Sequence, residues 1–272
     1  MNKTLLTIAL LAMPLPALAD KLDSLKEQGF ARIAIANEPP FTAVAADGSV
    51  SGAAPDVARE IFQRLGVPEV VASISEYGAM IPGLQARRFD VITAGLFMKP
   101  ERCAAVAYSE PVLCDAEALL LPKGNPKGFK SYADIAADST AKIGAPGGGT
   151  EEKLALEAGV PRDRVIVVPD GQSGVKMLQD GRIDAYSLPV LSISDLMAKA
   201  ADPNLEMFAP VVGAPVYCDG AAFNKDDTAL RDAFDVELAK LKASGEFAAI
   251  VEPYGFSAAA AISTSRAQQC GE

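Results

Sequence analysis

A chain of 272 residues, half of them apolar, is long enough for one large domain or two of ordinary size, each with a real core. With 35 acidic against 25 basic side chains, its net charge of −10 repels nucleic acid and anionic lipid, so neither is expected as a partner. There is no histidine, and no close thiol pair such as CxxC among the four cysteines, which argues against a zinc site; no metal or cofactor is expected.

The chain opens MNKTLLTIALLAMPLPALAD, with Lys3 ahead of a short apolar run that closes on Ala17-Leu18-Ala19, a small-x-small cleavage pattern. Residues 1–19 read as a secretory leader, too short for the roughly 20 residues that span a bilayer, and no later segment does better. Cleavage leaves Asp20 first, with 24 basic against 35 acidic side chains and a net charge of −11. No cysteine stands near that point to carry a lipid anchor, so the expected form is a soluble monomer in the periplasm. In that oxidising compartment Cys103, Cys114, Cys218 and Cys270 are expected to pair. Spacing alone does not choose among the three connectivities; the pairs favoured here are Cys103 with Cys114 and Cys218 with Cys270.

In chain order, ARIAIA (31–36) reads as a buried strand that opens into a loop at Asn37 and a Pro pair. DVAREIFQRL (56–65), apolar at every third and fourth position and closed by Gly66, predicts an amphipathic helix. A strand over 68–74, a helix over 80–87 and a strand over 89–94 complete a βαβαβ unit, the pattern of a doubly wound sheet. The pattern then repeats: strand 142–145, helix 150–158, strand 164–168, helix 173–179, strand 183–186. Segments 116–121 and 216–224 read as extended crossings between the two units, and helices over 227–243 and 245–252 as packing back on the first. The expected fold is thus α/β and two-lobed, with lobe one over 20–115 and 216–272, lobe two over 116–215, and two crossing hinge segments near Cys114–Glu117 and Pro215–Asp219. Ligands in open α/β sheets bind beyond the carboxyl ends of strands, and here two such edges face one another.

The chemistry-bearing residues fall at those strand ends. Glu38 and Phe41 follow the first strand, Tyr77 the second, and Gly95 and Phe97 the third. Three aromatic faces suit a delocalised cation, which gains about 0.5 to 2 kcal/mol over each, and Glu38 can accept hydrogen bonds from its N–H groups. Arg102, in an expected first helical turn after Pro100-Glu101, can take a carboxylate bidentately. In the second unit PGGGT (146–150) leads from strand to helix, with Thr150 expected as the N-cap beside amides that attract an anion. It lacks the GK[ST] of a phosphate loop, so a carboxylate fits better. The seven residues together ask for a small zwitterion, its positive ring boxed by Phe41, Tyr77 and Phe97 with Glu38, its carboxylate between Arg102 and the 147–150 turn.

From Ala31 to about Phe256 the chain resembles the solute-binding proteins of polar amino-acid-type ABC importers, most clearly in GLQARRFDVITAGLFMKPERCAAVAYSEPV. Within that family NEPPF, EYGAMIPGL, GLFMKPERC, GGGTEEK and EPYGFS look like the ectoine/hydroxyectoine-binding branch. The resemblance implies capture of a cyclic amidine carboxylate for an ABC permease. It also implies Glu38 on the ring nitrogens, Arg102 on the carboxylate, and Gly95 backbone and Thr150 completing the shell. Amino-acid binders of the family carry a second-lobe aspartate a few residues after the equivalent of Asp184, where this chain has Ser187-Leu188-Pro189. A polar amino-acid or betaine-like binder remains the nearer alternative, and a dehydratase-like enzyme on the same fold the more distant one. Catalysis wants a poised acid, base or nucleophile; with no histidine and no GxSxG elbow, no catalytic residue is expected.

Overall fold

The computed structural model describes residues 20–272, so the leader expected over residues 1–19 lies outside the described residues. Two five-stranded sheets organise the chain. Across the first, the strands run Glu69–Ile74, Phe30–Ile35, Val91–Ile92, Ala222–Phe223, Ala107–Tyr108. The leading three are parallel, with Ile35 level with Ile74 and Ala34 with Ile92, while Ala222–Phe223 runs antiparallel to both neighbours. The second sheet has the same order: Val165–Val168, Ile143–Pro146, Ala185–Pro189, Glu117–Pro122, Leu205–Phe208. Here Glu117–Pro122 is the antiparallel member. In each sheet the antiparallel strand is the one by which the chain arrives from the other.

Both faces of each sheet are covered, which is why the strands read as apolar runs and not as alternation. Ile33 and Ile35 pack on one side with Phe62 and Phe234, whereas Ala34, between them, packs on the other with Met80 and Leu84. Helix Ala53–Arg64 supplies Val57, Ala58, Ile61 and Phe62 from one stripe. In the second sheet Leu119 and Leu121 face Ile143 and Tyr132, and Ala118 and Leu120 face Val175 and Ile193. Among the described residues no helix is long and apolar enough to cross a membrane.

Several elements differ from expectation. Segment 116–121 is almost all sheet strand, and 216–224 holds two short strands, Tyr217–Cys218 and Ala222–Phe223; the crossing itself is made by Cys114–Asp115 and Tyr217–Cys218, which pair antiparallel with Cys218 level with Cys114. That register corrects the cysteine pairing: the disulfides are Cys114–Cys218 and Cys103–Cys270, not Cys103–Cys114 and Cys218–Cys270. Cys103 lies on helix Pro100–Ala105 and meets the last helix, Arg266–Cys270, so the tail is stapled to the first lobe and not to a crossing. Thr150 is the first residue of its helix, Thr150–Glu157, and Gly149 takes the cap position. The helix Val190–Ala200 was not anticipated.

The Cys114–Cys218 bridge joins residues 104 apart in sequence, and a disulfide typically contributes about 2 to 4 kcal/mol. The double variant Cys114→Ser/Cys218→Ser should lower the urea midpoint accordingly, and peptide mapping of the oxidised protein should recover only the two observed cross-links.

Candidate functional site

The parallel strands of both sheets aim their carboxyl ends at one seam, and the loops that follow them supply its side chains. After Phe30–Ile35 the chain turns at Asn37, whose φ of 54° is left-handed and whose Oδ1 accepts from the Val44 N–H at 2.9 Å. Glu38 follows, fixed by its N–H to Thr42 Oγ1 (3.1 Å) and by the Thr42 N–H to its own carbonyl (3.0 Å). Its Oε1 accepts from the Ser192 hydroxyl at 2.7 Å, a bond from the second sheet's helix to the first sheet's loop. The Tyr77 hydroxyl lies 3.0 Å from the Ala94 carbonyl and 3.3 Å from Glu38 Oε2, one proton for two acceptors.

Arg102 sits at the other end of the seam, in the first turn of a helix opened by Pro100. Its guanidinium donates to the Phe97 carbonyl (2.8 Å) in its own lobe and to the Gly148 carbonyl (2.9 Å) across the seam, with Thr150 Oγ1 at 3.5 Å. Phe97 stacks on Tyr217 of the crossing, ring centroids 5.9 Å apart and planes 21° off parallel. Tyr77, Gly95, Phe97, Arg102, Thr150 and Glu151 together frame a narrow space of about 10 Å³. A larger cavity, about 530 Å³, lies beside it, bordered by Glu38 and again by Tyr77.

Of the seven residues singled out from sequence, Tyr77, Gly95, Phe97, Arg102 and Thr150 therefore share one space, and Glu38 stands next to it. Phe41 differs. It is 1% exposed, edge-on to Phe97 at 5.9 Å and to Phe256 at 4.7 Å, and it frames neither space. Its ring instead fills the position where a side chain at residue 95 would go: a Cβ on Gly95, already at φ +74°, would lie 2.7 Å from Phe41 Cδ1. Sequence reasoning missed Ser192, Tyr217, Glu117 and Glu151. The GGGTEE run did carry a signal for Glu151, since an acid in a first helical turn at a strand end faces the same crevice as Thr150.

Glu117 and Glu151 are both buried, and neither Glu117 oxygen receives a donor among the described residues. The partner open to Glu117 is the Glu151 carboxyl, so one of the two must carry the proton. Burial first, and the neighbouring Glu151 charge second, push Glu117 well above the carboxylate range; burial raises Glu151 as well. Glu38 is pushed up to about 8, again by burial and then by Glu151, although it keeps some contact with the larger cavity. Burial also lowers Lys99, whose ammonium lies 5.0 Å from the Tyr217 ring centroid.

Between the sheets backbone also meets backbone directly, the Gly78 N–H donating to the Gly147 carbonyl at 3.2 Å. A Cβ on Gly148, at φ +74°, would meet Gly78 Cα at 2.4 Å, whereas a Cβ on Gly78 finds nothing nearer than 3.6 Å.

Comparison with known proteins fits this geometry. Residues 31–257 match the family of bacterial extracellular solute-binding proteins, family 3, and the chain belongs to it. A curated relative, the "Probable amino-acid ABC transporter periplasmic-binding protein y4tE" of Sinorhizobium fredii, is 35% identical over 241 residues, 86% of this chain and 80% of its own. The crystal structure of EhuB in complex with hydroxyectoine superposes with a TM-score of 0.91 at 82% identity, covering 92% of this chain and 97% of EhuB. An ancestral amino-acid-binding protein, AncCDT-1, described as a precursor of cyclohexadienyl dehydratase, superposes at 0.75 with 25% identity, covering 86% of this chain and 98% of its own. The protein is a two-lobed solute-binding protein that captures a small molecule for ABC import.

Two outcomes follow from the seam. Gly148→Ala should hold the lobes apart, seen as a larger radius of gyration in X-ray scattering with unchanged circular dichroism, while Gly78→Ala should scatter like the parent. Stability of the ligand-free protein should fall as pH rises from 5 to 8. Asp115 (about 6), Asp219 (about 7) and Glu38 (about 8) all hold protons in the fold that the unfolded chain has already released, so stability present at low pH is lost through those values. Asp219→Asn should flatten the lower part of that fall, by on the order of 1 kcal/mol, in urea titrations run at each pH.

Proposed function

We propose that the protein captures ectoine and 5-hydroxyectoine as a monomer in the periplasm and delivers them to an ABC permease. The observation that carries this reading is that one seam brings a guanidinium, an aromatic face and a half-buried carboxyl within reach of a single small molecule. The 82% identical EhuB, solved with hydroxyectoine, supports it. In this reading the ligand carboxylate replaces the Gly148 carbonyl as partner of Arg102, with Thr150 alongside. The amidinium ring lies against Phe97 and Tyr77, with its N–H groups toward Glu38. The Gly95 backbone shapes the floor, and Phe41 holds Phe97 in place from behind. The lobes divide as 20–115 with 216–272 against 116–215, and the paired crossings act as the hinge.

The ligand is well hydrated in water, so capture must replace that hydration with charge-assisted hydrogen bonds and cation–π contact in a dry seam. Apposition of the lobes provides the dryness. The alternative, a polar amino acid, has the name of the y4tE relative in its favour. Against it, the strand Ala185–Pro189 offers no acid for an α-ammonium group, and the Ser187 hydroxyl is already bonded to Tyr132 (2.7 Å) and the Ala118 carbonyl. No catalytic role is assigned to any residue, and absence of product on prolonged incubation with ectoine is the expected result.

Calorimetry with ectoine, hydroxyectoine, proline, glycine betaine and the common amino acids tests the reading; tight binding of an amino acid with none of ectoine overturns it. Arg102→Ala and Phe97→Ala should each weaken ectoine binding tenfold or more, about 1.4 kcal/mol, in variants that circular dichroism shows to be folded.

A further inference from the structure

The narrow space beside Arg102, about 10 Å³, has room for little more than a water, so a compact ring reaches into the larger cavity and leaves most of it over. At about 530 Å³ it falls within the 300 to 1,000 Å³ usual for small-molecule sites, and its walls come from both sheets. Three features join it to the site. Tyr77 borders both spaces. The Glu38–Ser192 hydrogen bond stands in its wall. The Tyr186 side chain, 1% exposed, also lines it, and the Tyr186 hydroxyl makes no hydrogen bond among the described residues, so a polar group lacking a partner adjoins the cavity.

The wall chemistry restricts what fits. Ile74 from the first sheet and Val167 from the second contribute apolar surface at the rim, 60% and 46% exposed. The charged lining is predominantly acidic, and its cation, Lys199, is already paired with Asp195 at 2.7 Å. A neutral or cationic group is accepted there, and an anionic one meets like charge in a partly dehydrated space.

We propose that this cavity is an arm-binding extension of the ligand site, able to take zwitterions that carry a neutral or cationic arm of several non-hydrogen atoms beyond the ring. The proposal rests on the ligand reading above, because Glu38 marks the point of exit. The amidine carbon lies between the two nitrogens that Glu38 faces, so a substituent on that carbon leaves the ring on the cavity side. The ligand class is cyclic amidinium carboxylates alkylated at the amidine carbon.

The test is calorimetry of the full-length mature protein with ectoine and three homologues, in which the ring methyl is replaced by n-butyl, 4-aminobutyl or 3-carboxypropyl. The butyl and aminobutyl compounds should bind within about tenfold of ectoine, and the carboxypropyl compound at least a hundredfold more weakly. Val167→Trp and Ile74→Trp, two half-exposed rim positions on opposite lobes, should leave ectoine unchanged and weaken the butyl homologue tenfold or more. If ectoine binds and both extended homologues are excluded by more than a hundredfold, the extension is overturned and the ligand reading stands. Equal binding of the carboxypropyl compound, or rim variants with no effect on the butyl compound, also overturns it. If ectoine itself does not bind, the ligand reading fails and the extension with it.

Discussion

Charged groups deprived of water where two sheets meet set the terms for everything else in this molecule. A carboxylate in such a place needs a donor or takes up a proton, and a guanidinium, which stays charged, needs acceptors. Arg102 takes carbonyls from both lobes, Glu38 takes a hydroxyl from the far lobe, and burial holds Glu117 and Glu151 toward the protonated form. Each arrangement is serviceable when the lobes are together, and each leaves hydrogen-bonding capacity that a zwitterion of the right length can use better. The seam therefore works as a comparator between the protein's own weak partners and a ligand's stronger ones.

That seam exists because the same strand order is used twice. Three parallel strands in each sheet deliver their carboxyl ends to one edge, and the strand arriving from the opposite lobe slots in antiparallel beside them. Loops at such an edge can differ freely in sequence while the sheet behind fixes their position. The two backbone segments at 78 and 147–148 then set how near the edges come, since no side chain intervenes there.

The βαβαβ repeat was legible because both halves carry apolar runs of strand length separated by helical periodicity, as in ARIAIA, DVAREIFQRL and FDVITA. Strand-end placement in turn flagged Tyr77, Gly95, Phe97, Arg102 and Thr150, which the fold gathers at one space. Phe41 was harder: a ring one turn of loop away from the site can face the ligand or back its neighbour, and in the structure it lies against Gly95 and frames neither space. Cysteine pairing depends on which segments lie side by side, a tertiary fact that spacing does not encode. Yet both hinge segments contained a cysteine, and two crossings running together bring Cys114 to Cys218. Helix Val190–Ala200 was hidden because it starts directly after Pro189 with no loop between strand and helix, and Ser192 was hidden with it.

Tying Cys114 to Cys218 turns two separate strings into a single ribbon. Independent strings allow shear, twist and bend alike, whereas a cross-linked ribbon resists sliding of one strand past the other and leaves bending as its soft mode. With the crossings as the proposed hinge, oxidation selects the path by which the halves approach, so that Arg102 and Gly148 return to the same register on every closure.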